Sequence, residues 1–269
     1  MTDRYCVIGN PIAHSKSPII HAAFAAQTGQ DLTYQHELAP LGGFDGHVHG
    51  LIAAGVRGAN VTVPFKLDAA RLATRLSARA QAAGAVNTLS FQDGDIVGDN
   101  TDGAGLVADI VRNAGVDLLG ARVLLLGAGG AARGVVLPIL EAGAAGVVVA
   151  NRTRATADAM VAAFADARVT ACEYADVDAV FDVVVNATSA SLAGELVPVP
   201  PVAFGAGTLA YDMMYAAAPT PFMVFSASHG AQVRDGLGML VEQAAEAFAV
   251  WRGVRPDTAP MFSLLRQSA

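Results

Sequence analysis

Arg122-Val123-Leu124-Leu125-Leu126-Gly127-Ala128-Gly129-Gly130-Ala131-Ala132 reads as an apolar strand, a glycine turn and the start of a helix that continues to Glu141. The pattern Gly127-x-Gly129-x-x-Ala132 fits a dinucleotide fingerprint. Gly127 permits the tight turn, Gly129 lets the backbone approach a pyrophosphate, and Ala132 permits close packing of helix on strand. Gly127, Ala128, Gly129, Gly130 and Ala131 then line the cradle, with the free N–H groups of the helix start turned to phosphate. A merely tight strand-to-helix turn is the plainer alternative, and the neighbouring sequence bears on the choice.

Downstream, a strand at 147–150, a helix at 155–165 and a strand at 182–186 complete a βαβαβ series. The second of these strands ends in Asn151-Arg152-Thr153-Arg154, where NAD enzymes usually carry an acid for the ribose hydroxyls. Two guanidinium groups and a hydroxyl suit a 2′-phosphate, so NADP is preferred to NAD; solvated arginines at a helix start are the bland reading.

Upstream, strand-like runs at 5–9, 59–63 and 87–91 alternate with helical stretches at 18–27 and 71–83, which favours a second α/β sheet. The segment 104–114 has helical spacing through Leu106, Val107, Ile110 and Val111 and would bridge the two sheets, placing a boundary near residue 103. The last helix, 240–251, carries Leu240, Val241, Ala244, Ala245, Phe248 and Trp251 on one face and could pack on either domain.

Composition narrows the function classes. The chain has 269 residues, 53% of them hydrophobic, enough to fill the cores of two domains. A net charge of -7 without a basic run gives no electrostatic basis for gripping nucleic acid or an anionic membrane, which leaves small molecules as the expected partners. No apolar stretch has the ~18 residues a membrane span requires, and Thr2-Asp3-Arg4 leads into Tyr5-Cys6-Val7-Ile8 without a signal-peptide core, so a cytoplasmic protein is expected. Cys6 and Cys172 read as small buried hydrophobes, and no metal site is expected.

In the first half, 9–18 runs from a strand into a helix, with Ser17 as N-cap and Pro18 at the first helical position. Hydroxyls at Ser15 and Ser17 beside a helix start suit a carboxylate; capping alone accounts for Ser17 but not Ser15. His14 reads as a structural or surface histidine. Lys66 follows the strand-like Val61-Thr62-Val63 and Pro64, and Asp102 ends Gly98-Asp99-Asn100-Thr101-Asp102. They could form an acid/base pair; a surface lysine and a turn aspartate are the bland readings.

These strings resemble the shikimate dehydrogenase family. The resemblance rests on 9–12 with 14–18, Asn60-Val61-Thr62-Val63-Pro64-Phe65-Lys66, Gly84-Ala85-Val86-Asn87-Thr88, Asn100-Thr101-Asp102-Gly103, 127–131, Asn151-Arg152-Thr153, Asn186-Ala187-Thr188-Ser189, Tyr211-Asp212-Met213-Met214-Tyr215 and 236–243, in family order over nearly the whole chain. It implies an α/β protein of two domains. The substrate domain is 1–103 completed by 236–269 with the returning C-terminal helix, and the Rossmann-type NADP domain is 104–235. It implies Lys66 and Asp102 as the catalytic pair, Ser15, Ser17 and Tyr215 on the substrate carboxylate, and Thr62, Asn87 and Gln243 on ring hydroxyls. Met213 and Gly236 would lie beside the nicotinamide. The implied reaction is reversible NADPH-dependent reduction of 3-dehydroshikimate to shikimate, in the chorismate route to aromatic amino acids, by a monomer or homodimer. A quinate/shikimate dehydrogenase with relaxed cofactor use is the nearest alternative, and a non-catalytic NADP-binding module a more distant one.

The chain departs from the family at three positions. Thr156 stands where many members carry an arginine, Ala78 replaces an acidic residue before Arg79, and Ser191 stands where glycine is usual. The first touches the 2′-phosphate grip, the second a polar contact on the cofactor side, and the third is expected to be a minor change in a turn.

Overall fold

Leu124 and Leu126 pack on one face of a sheet while Val123 and Leu125 pack on the other, and all four are fully buried. This two-sided burial is why their strand reads as an unbroken apolar run. The computed structural model describes residues 2–267, which divide into two units, 2–105 with 241–267 and 106–240.

The first unit holds β1 (Asp3–Gly9), α1 (Ser17–Thr28), β2 (Leu32–Leu38), α2 (Phe44–Ala53), β3 (Val56–Val61), α3 (Lys66–Leu72), β4 (Arg75–Leu76), α4 (Ala78–Ala83), β5 (Thr88–Gln92) and β6 (Asp95–Asp99). Its strands form one six-stranded sheet in the order β2-β1-β3-β5-β6-β4, parallel except where β5 runs against β3 and β6. The carboxyl ends of β1, β3 and β6 therefore share an edge with the amino end of β5. Cys6, Ile8 and Val61 pack with Phe44, Val48 and Phe65. On the opposite face Tyr5 and Val7 pack with Ile12 and Tyr34 against Trp251, whose ring stacks on Tyr5 at 4.6 Å.

Helix α5 (Asp102–Ala108) leads into the second unit and passes into a π-helical turn at Asp109–Asn113, so the helix expected over 104–114 begins earlier and changes its winding. There follow β7 (Arg122–Leu126), α6 (Gly130–Glu141), β8 (Gly146–Ala150), α7 (Arg154–Phe164), β9 (Val169–Cys172), β10 (Val183–Asn186), β11 (Leu209–Asp212), α8 (Pro221–Ser228) and β12 (Gln232–Arg234). The six strands are all parallel, in the order β12-β11-β10-β7-β8-β9. That is the doubly wound order, with its switch point between β7 and β10. Helix α9 (Leu237–Arg252) passes back into the first unit at Val241, and α10 (Ala259–Gln267) follows it.

Two local readings are corrected. The stretch 71–83 is not one helix, because Thr74 N–H and Ser77 N–H donate to the Ile96 and Gly98 carbonyls and draw Arg75 and Leu76 into the sheet as β4. Ser77 then caps α4, its hydroxyl accepting from Ala80 N at 3.2 Å. Ser17 is not an N-cap: Lys16 occupies that position, and Ser17 is the first helical residue with Pro18 behind it. Among the described residues no helix is long and apolar enough to cross a membrane.

Candidate active site

Lys66 opens α3 immediately after the turn that follows β3, and Asp102 opens α5 immediately after β6. Both strands end at the shared sheet edge, and Lys66 Nζ lies 2.5 Å from Asp102 Oδ2. Asp102 is not a solvated turn residue. It is buried, and its backbone N–H donates to Asn100 Oδ1 at 3.1 Å. A carboxylate in the first turn of a helix also meets the positive end of the helix dipole.

Asn87, at the amino end of β5, donates from Nδ2 to Asp102 Oδ1 at 2.9 Å, to Thr101 Oγ1 at 3.0 Å and to Gln243 Oε1 at 3.3 Å. Its Oδ1 accepts from Thr101 N at 2.8 Å and from the Thr88 hydroxyl at 2.9 Å. Gln243 thus joins Asn87, Lys66 and Asp102 in one hydrogen-bonded group, along with Thr101, which also donates to Gln243 Oε1 at 3.4 Å. Asn60 extends the network beneath: it accepts from Tyr34 Oη at 2.7 Å and donates to the Asn87 carbonyl at 3.2 Å. Sequence reasoning assigned no role to Tyr34, Asn60, Thr88, Asn100 or Thr101. Asn60 and Asn100 stand inside the quoted motifs, and for Asn60 an asparagine in an apolar run was the available signal.

Thr62 follows β3, its N–H donating to the Ile8 carbonyl at 2.9 Å, and its hydroxyl has no hydrogen-bond partner among the described residues. In the loop after β1, the Ser15 hydroxyl donates to Ser17 Oγ at 3.2 Å and accepts from Ser17 N at 3.3 Å, so the two hydroxyls sit side by side at the start of α1. His14 is exposed. Tyr215 lies in the second unit on the segment after β11, half-buried, and burial raises its hydroxyl above the usual tyrosine range.

In the second unit Gly127 follows β7 with φ +102°, a backbone region that side chains rarely adopt, and its N–H donates to the Ala150 carbonyl at 2.8 Å. A Cβ at Gly129 or Gly130 would meet open space, while Ala128 and Ala132 are buried. Glycine at 129 and 130 is therefore not demanded by packing, and the turn leaves room for a ligand at the N-terminus of the 12-residue helix α6. At the end of β8, Asn151 Nδ2 donates to the Thr153 carbonyl at 3.0 Å, and Arg152, Thr153 and Arg154 are exposed. Arg154 Nε is held by Asp158 at 2.8 Å. The donor set of backbone amides, guanidinium groups and a hydroxyl fits NADP, including its 2′-phosphate. Thr156 is exposed, in the first turn of α7.

Met213 is buried, its N–H donating to the Asn186 carbonyl at 3.0 Å, and Gly236 N–H donates to the Met214 carbonyl at 3.0 Å. Asp212 organises this corner: it accepts from the Ser191 and Thr220 hydroxyls at 2.6 Å each and from Met214 N at 3.0 Å. Ser191 is therefore more than a turn residue, because its hydroxyl supplies a bond that glycine would lack. Ala78 opens α4 in the first unit, beside Arg79.

Comparison with known proteins gives a consistent picture. Residues 7–89 match the family model described as shikimate dehydrogenase substrate binding domain, residues 109–193 match shikimate / quinate 5-dehydrogenase, and residues 236–262 match the shikimate 5'-dehydrogenase C-terminal domain. The chain is 62% identical over 266 residues to a shikimate dehydrogenase (NADP(+)) from Janthinobacterium sp. (strain Marseille), covering 98% of this chain and 97% of that one. An Ael1 enzyme from Pseudomonas putida matches with a TM-score of 0.94 at 48% identity over 98% of each chain. A shikimate 5-dehydrogenase from Thermus thermophilus, solved in complex with NADP(H) and shikimate, matches with a TM-score of 0.89 at 34% identity over 100% of each chain.

Proposed function

The chain belongs to the shikimate dehydrogenase family, and from that premise we propose that it interconverts 3-dehydroshikimate and shikimate with NADP(H), in the cytoplasm and in the service of aromatic amino acid biosynthesis. The observation that carries this reading is the Lys66–Asp102 contact inside a hydrogen-bonded group that also contains Asn87 and Gln243. A binding module needs no such pair; an enzyme that moves a proton does.

The 1–103 and 236–269 segments are assigned to substrate and the 104–235 segment to NADP. Ser15, Ser17 and Tyr215 are assigned to the substrate carboxylate, with hydroxyl donors and a helix start suited to an anion. Thr62, Asn87 and Gln243 are assigned to the ring hydroxyls, since each offers a side-chain donor or acceptor at or near the shared sheet edge. Lys66 gives the proton to the C3 oxygen during reduction and stabilises negative charge developing there. Asp102, in direct contact with Lys66, shares that proton in the reverse direction. Gly127, Ala128, Gly129, Gly130 and Ala131 are assigned to the pyrophosphate, Asn151, Arg152, Thr153 and Arg154 to the adenosine 2′-phosphate, and Met213 and Gly236 to the nicotinamide. When bound, NADP supplies the hydride chemistry, which no side chain here provides.

The test is nicotinamide absorbance with purified protein, crossing shikimate and quinate with NADP and NAD. Fast turnover of shikimate with NADP is expected. Faster turnover of quinate, or of shikimate with NAD, would replace the reading with the relaxed enzyme, and silence in all four would remove the enzymatic reading.

A further inference from the structure

Arg79, second residue of α4, spends its whole guanidinium on two carboxylates. Nε and Nη2 grip the two Asp99 oxygens at 2.7 Å each, and Nη1 donates to Glu246 Oε1 at 2.8 Å. Arg255 braces the far side, donating to Glu246 Oε2 at 2.6 Å and to Glu242 Oε2 at 3.0 Å. Thr258 donates to the remaining Glu242 oxygen at 2.7 Å. All of these residues belong to the first unit.

Each end of this ladder leads to a residue of the proposed site. Asp99 Oδ1 also accepts from Ser77 Oγ at 2.5 Å and from Asn100 N at 2.7 Å, and Asn100 Oδ1 in turn accepts from Asp102 N. The Asn100 amide donates to the Ala85 carbonyl at 3.0 Å, two residues before Asn87. Asp99 thereby fixes where α5 begins, and with it the Asp102 carboxylate. Glu242 and Glu246 stand one turn apart on α9 around Gln243, whose amide oxygen meets Asn87 and Thr101. Burial raises the Asp99 and Glu246 carboxyls, and the hydrogen bonds from Arg79, with Ser77 at Asp99, more than reverse this and leave both below the usual carboxylate range.

We propose that Arg79 is a positioning residue for the reaction: its planar fork fixes the Asp99–Asp102 segment, its third arm fixes the Gln243 helix through Glu246, and so one side chain sets where Asp102 and Gln243 stand relative to each other. The roles of Asp102 and Gln243 rest on the function proposed above. A lysine cannot reproduce the arrangement, because an ammonium lacks the bidentate geometry.

The two arms separate kinetically. Glu246→Gln loosens only the Gln243 arm, and its KM for shikimate is expected to rise about fivefold with a smaller loss of kcat. Arg79→Gln loosens both, lowering kcat about tenfold and raising KM as well, and Arg79→Lys recovers less than half of the lost kcat. The two effects on KM are expected to be non-additive in the double variant. Amide hydrogen exchange at 100–103 is expected to be about tenfold faster in Arg79→Gln than in the wild type, a readout that needs no turnover. Folded Arg79→Gln with wild-type kcat, KM and exchange would overturn the proposal, as would a loss of activity that merely follows the loss of folded protein. A wild-type chain that leaves shikimate and NADP unchanged would sink the function instead, and the exchange measurement would still decide whether Arg79 holds the 99–102 segment.

Discussion

Lys66 Nζ lies 2.5 Å from one oxygen of Asp102 while Asn87 Nδ2 holds the other at 2.9 Å, so the carboxylate is fixed at both ends and the ammonium is fixed with it. Removing the ammonium deletes a proton donor without deleting the residues assigned to the substrate. Lys66→Ala is expected to lower kcat by roughly 10² to 10⁴ with little change in the KM for shikimate. Because the pair acts as a unit, Lys66→Ala with Asp102→Asn should be little worse than the poorer single variant. Steady-state rates of the three variants check this, and near-wild-type turnover of Lys66→Ala would remove Lys66 from catalysis.

Gly105, in the first turn of α5, lies so close to α9 that a Cβ there would come within 2.6 to 2.9 Å of Gln243 Cβ, N and Cα. In a free helix Gly→Ala stabilises by about 1 kcal/mol. Here backbone atoms would have to move, and overpacking of this kind costs about 1–3 kcal/mol, so packing decides the sign. Gly105→Ala is expected to lower Tm and to raise the KM for shikimate by pushing Gln243 away from Asn87. An unchanged Tm and KM would show that α9 yields without cost.

Much of this was legible in sequence where one residue type could serve one purpose. The apolar run 123–126 could be read because both of its faces are buried, and Gly127 because a tight turn after a strand needs a left-handed backbone. Strand β4 was illegible: its two residues are exposed, and alanine-rich neighbours imitate a helix. Strand β2 was missed because Leu32–Leu38 carries Thr33, Gln35, His36 and Glu37, too polar for an apolar run. Lys66 and Asp102 could be named as strand-end residues, but the support beneath them depends on register. Asn60 faces Thr88 across β3 and β5, a pairing that no local pattern states. The Arg79 ladder was hidden for the same reason, since it joins α4 to a helix at the far end of the chain.

The 2′-phosphate assignment separates the two arginines after β8. Arg154 is already engaged by Asp158, while Arg152 is exposed at the strand end and the local chain supplies it no carboxylate among the described residues. Arg152→Ala is expected to weaken NADP by about tenfold or more and to leave NAD almost unchanged, as expected for loss of a charge-assisted contact of about 1.5–3 kcal/mol. Arg154→Ala should do less. Titration of each variant with 2′-phosphorylated and unphosphorylated nucleotides gives the comparison, and equal losses for NADP and NAD would reassign Arg152.

Asp109 is fully buried in the second unit, where Arg234 Nε and Nη2 each donate to it at 2.6 Å and the Tyr211 hydroxyl donates at 2.7 Å. Asp109→Asn takes from the half-buried guanidinium the carboxylate it grips with two nitrogens and is expected to cost about 3–5 kcal/mol. The exposed Arg57–Asp3 pair provides the contrast, since Arg57→Ala should stay within about 0.5 kcal/mol. Urea unfolding of both variants measures the difference, and similar losses would contradict the role assigned to burial.

His21 gives the first unit an acid limit. Its ring stacks on Tyr34 at 4.1 Å and lies among Phe24, Phe248 and Trp251, and burial, partly offset by the Asn60 side chain, pushes its pKa down to about 3. The folded protein thus excludes a proton that the unfolded chain binds near pH ~6.5. Stability from this group is complete above that pH and falls as pH drops from about 6.5 toward about 3, by about 1.4 kcal/mol per pH unit. Asp99 and Glu246 are depressed too, but from a lower starting point: they contribute stability above the ordinary carboxylate range near ~4, lost only as pH falls below it. Between pH ~6.5 and ~4.5 the imidazole therefore sets the slope. The single tryptophan, Trp251, lies 5.5 Å from the His21 ring and reports on this unit. Urea unfolding followed by its fluorescence should show about 2 kcal/mol less stability at pH ~5 than at pH ~7 in the wild type. His21→Phe keeps an aromatic ring and carries no proton, so the difference should largely vanish in that variant; if it persists, the acid sensitivity lies in another group.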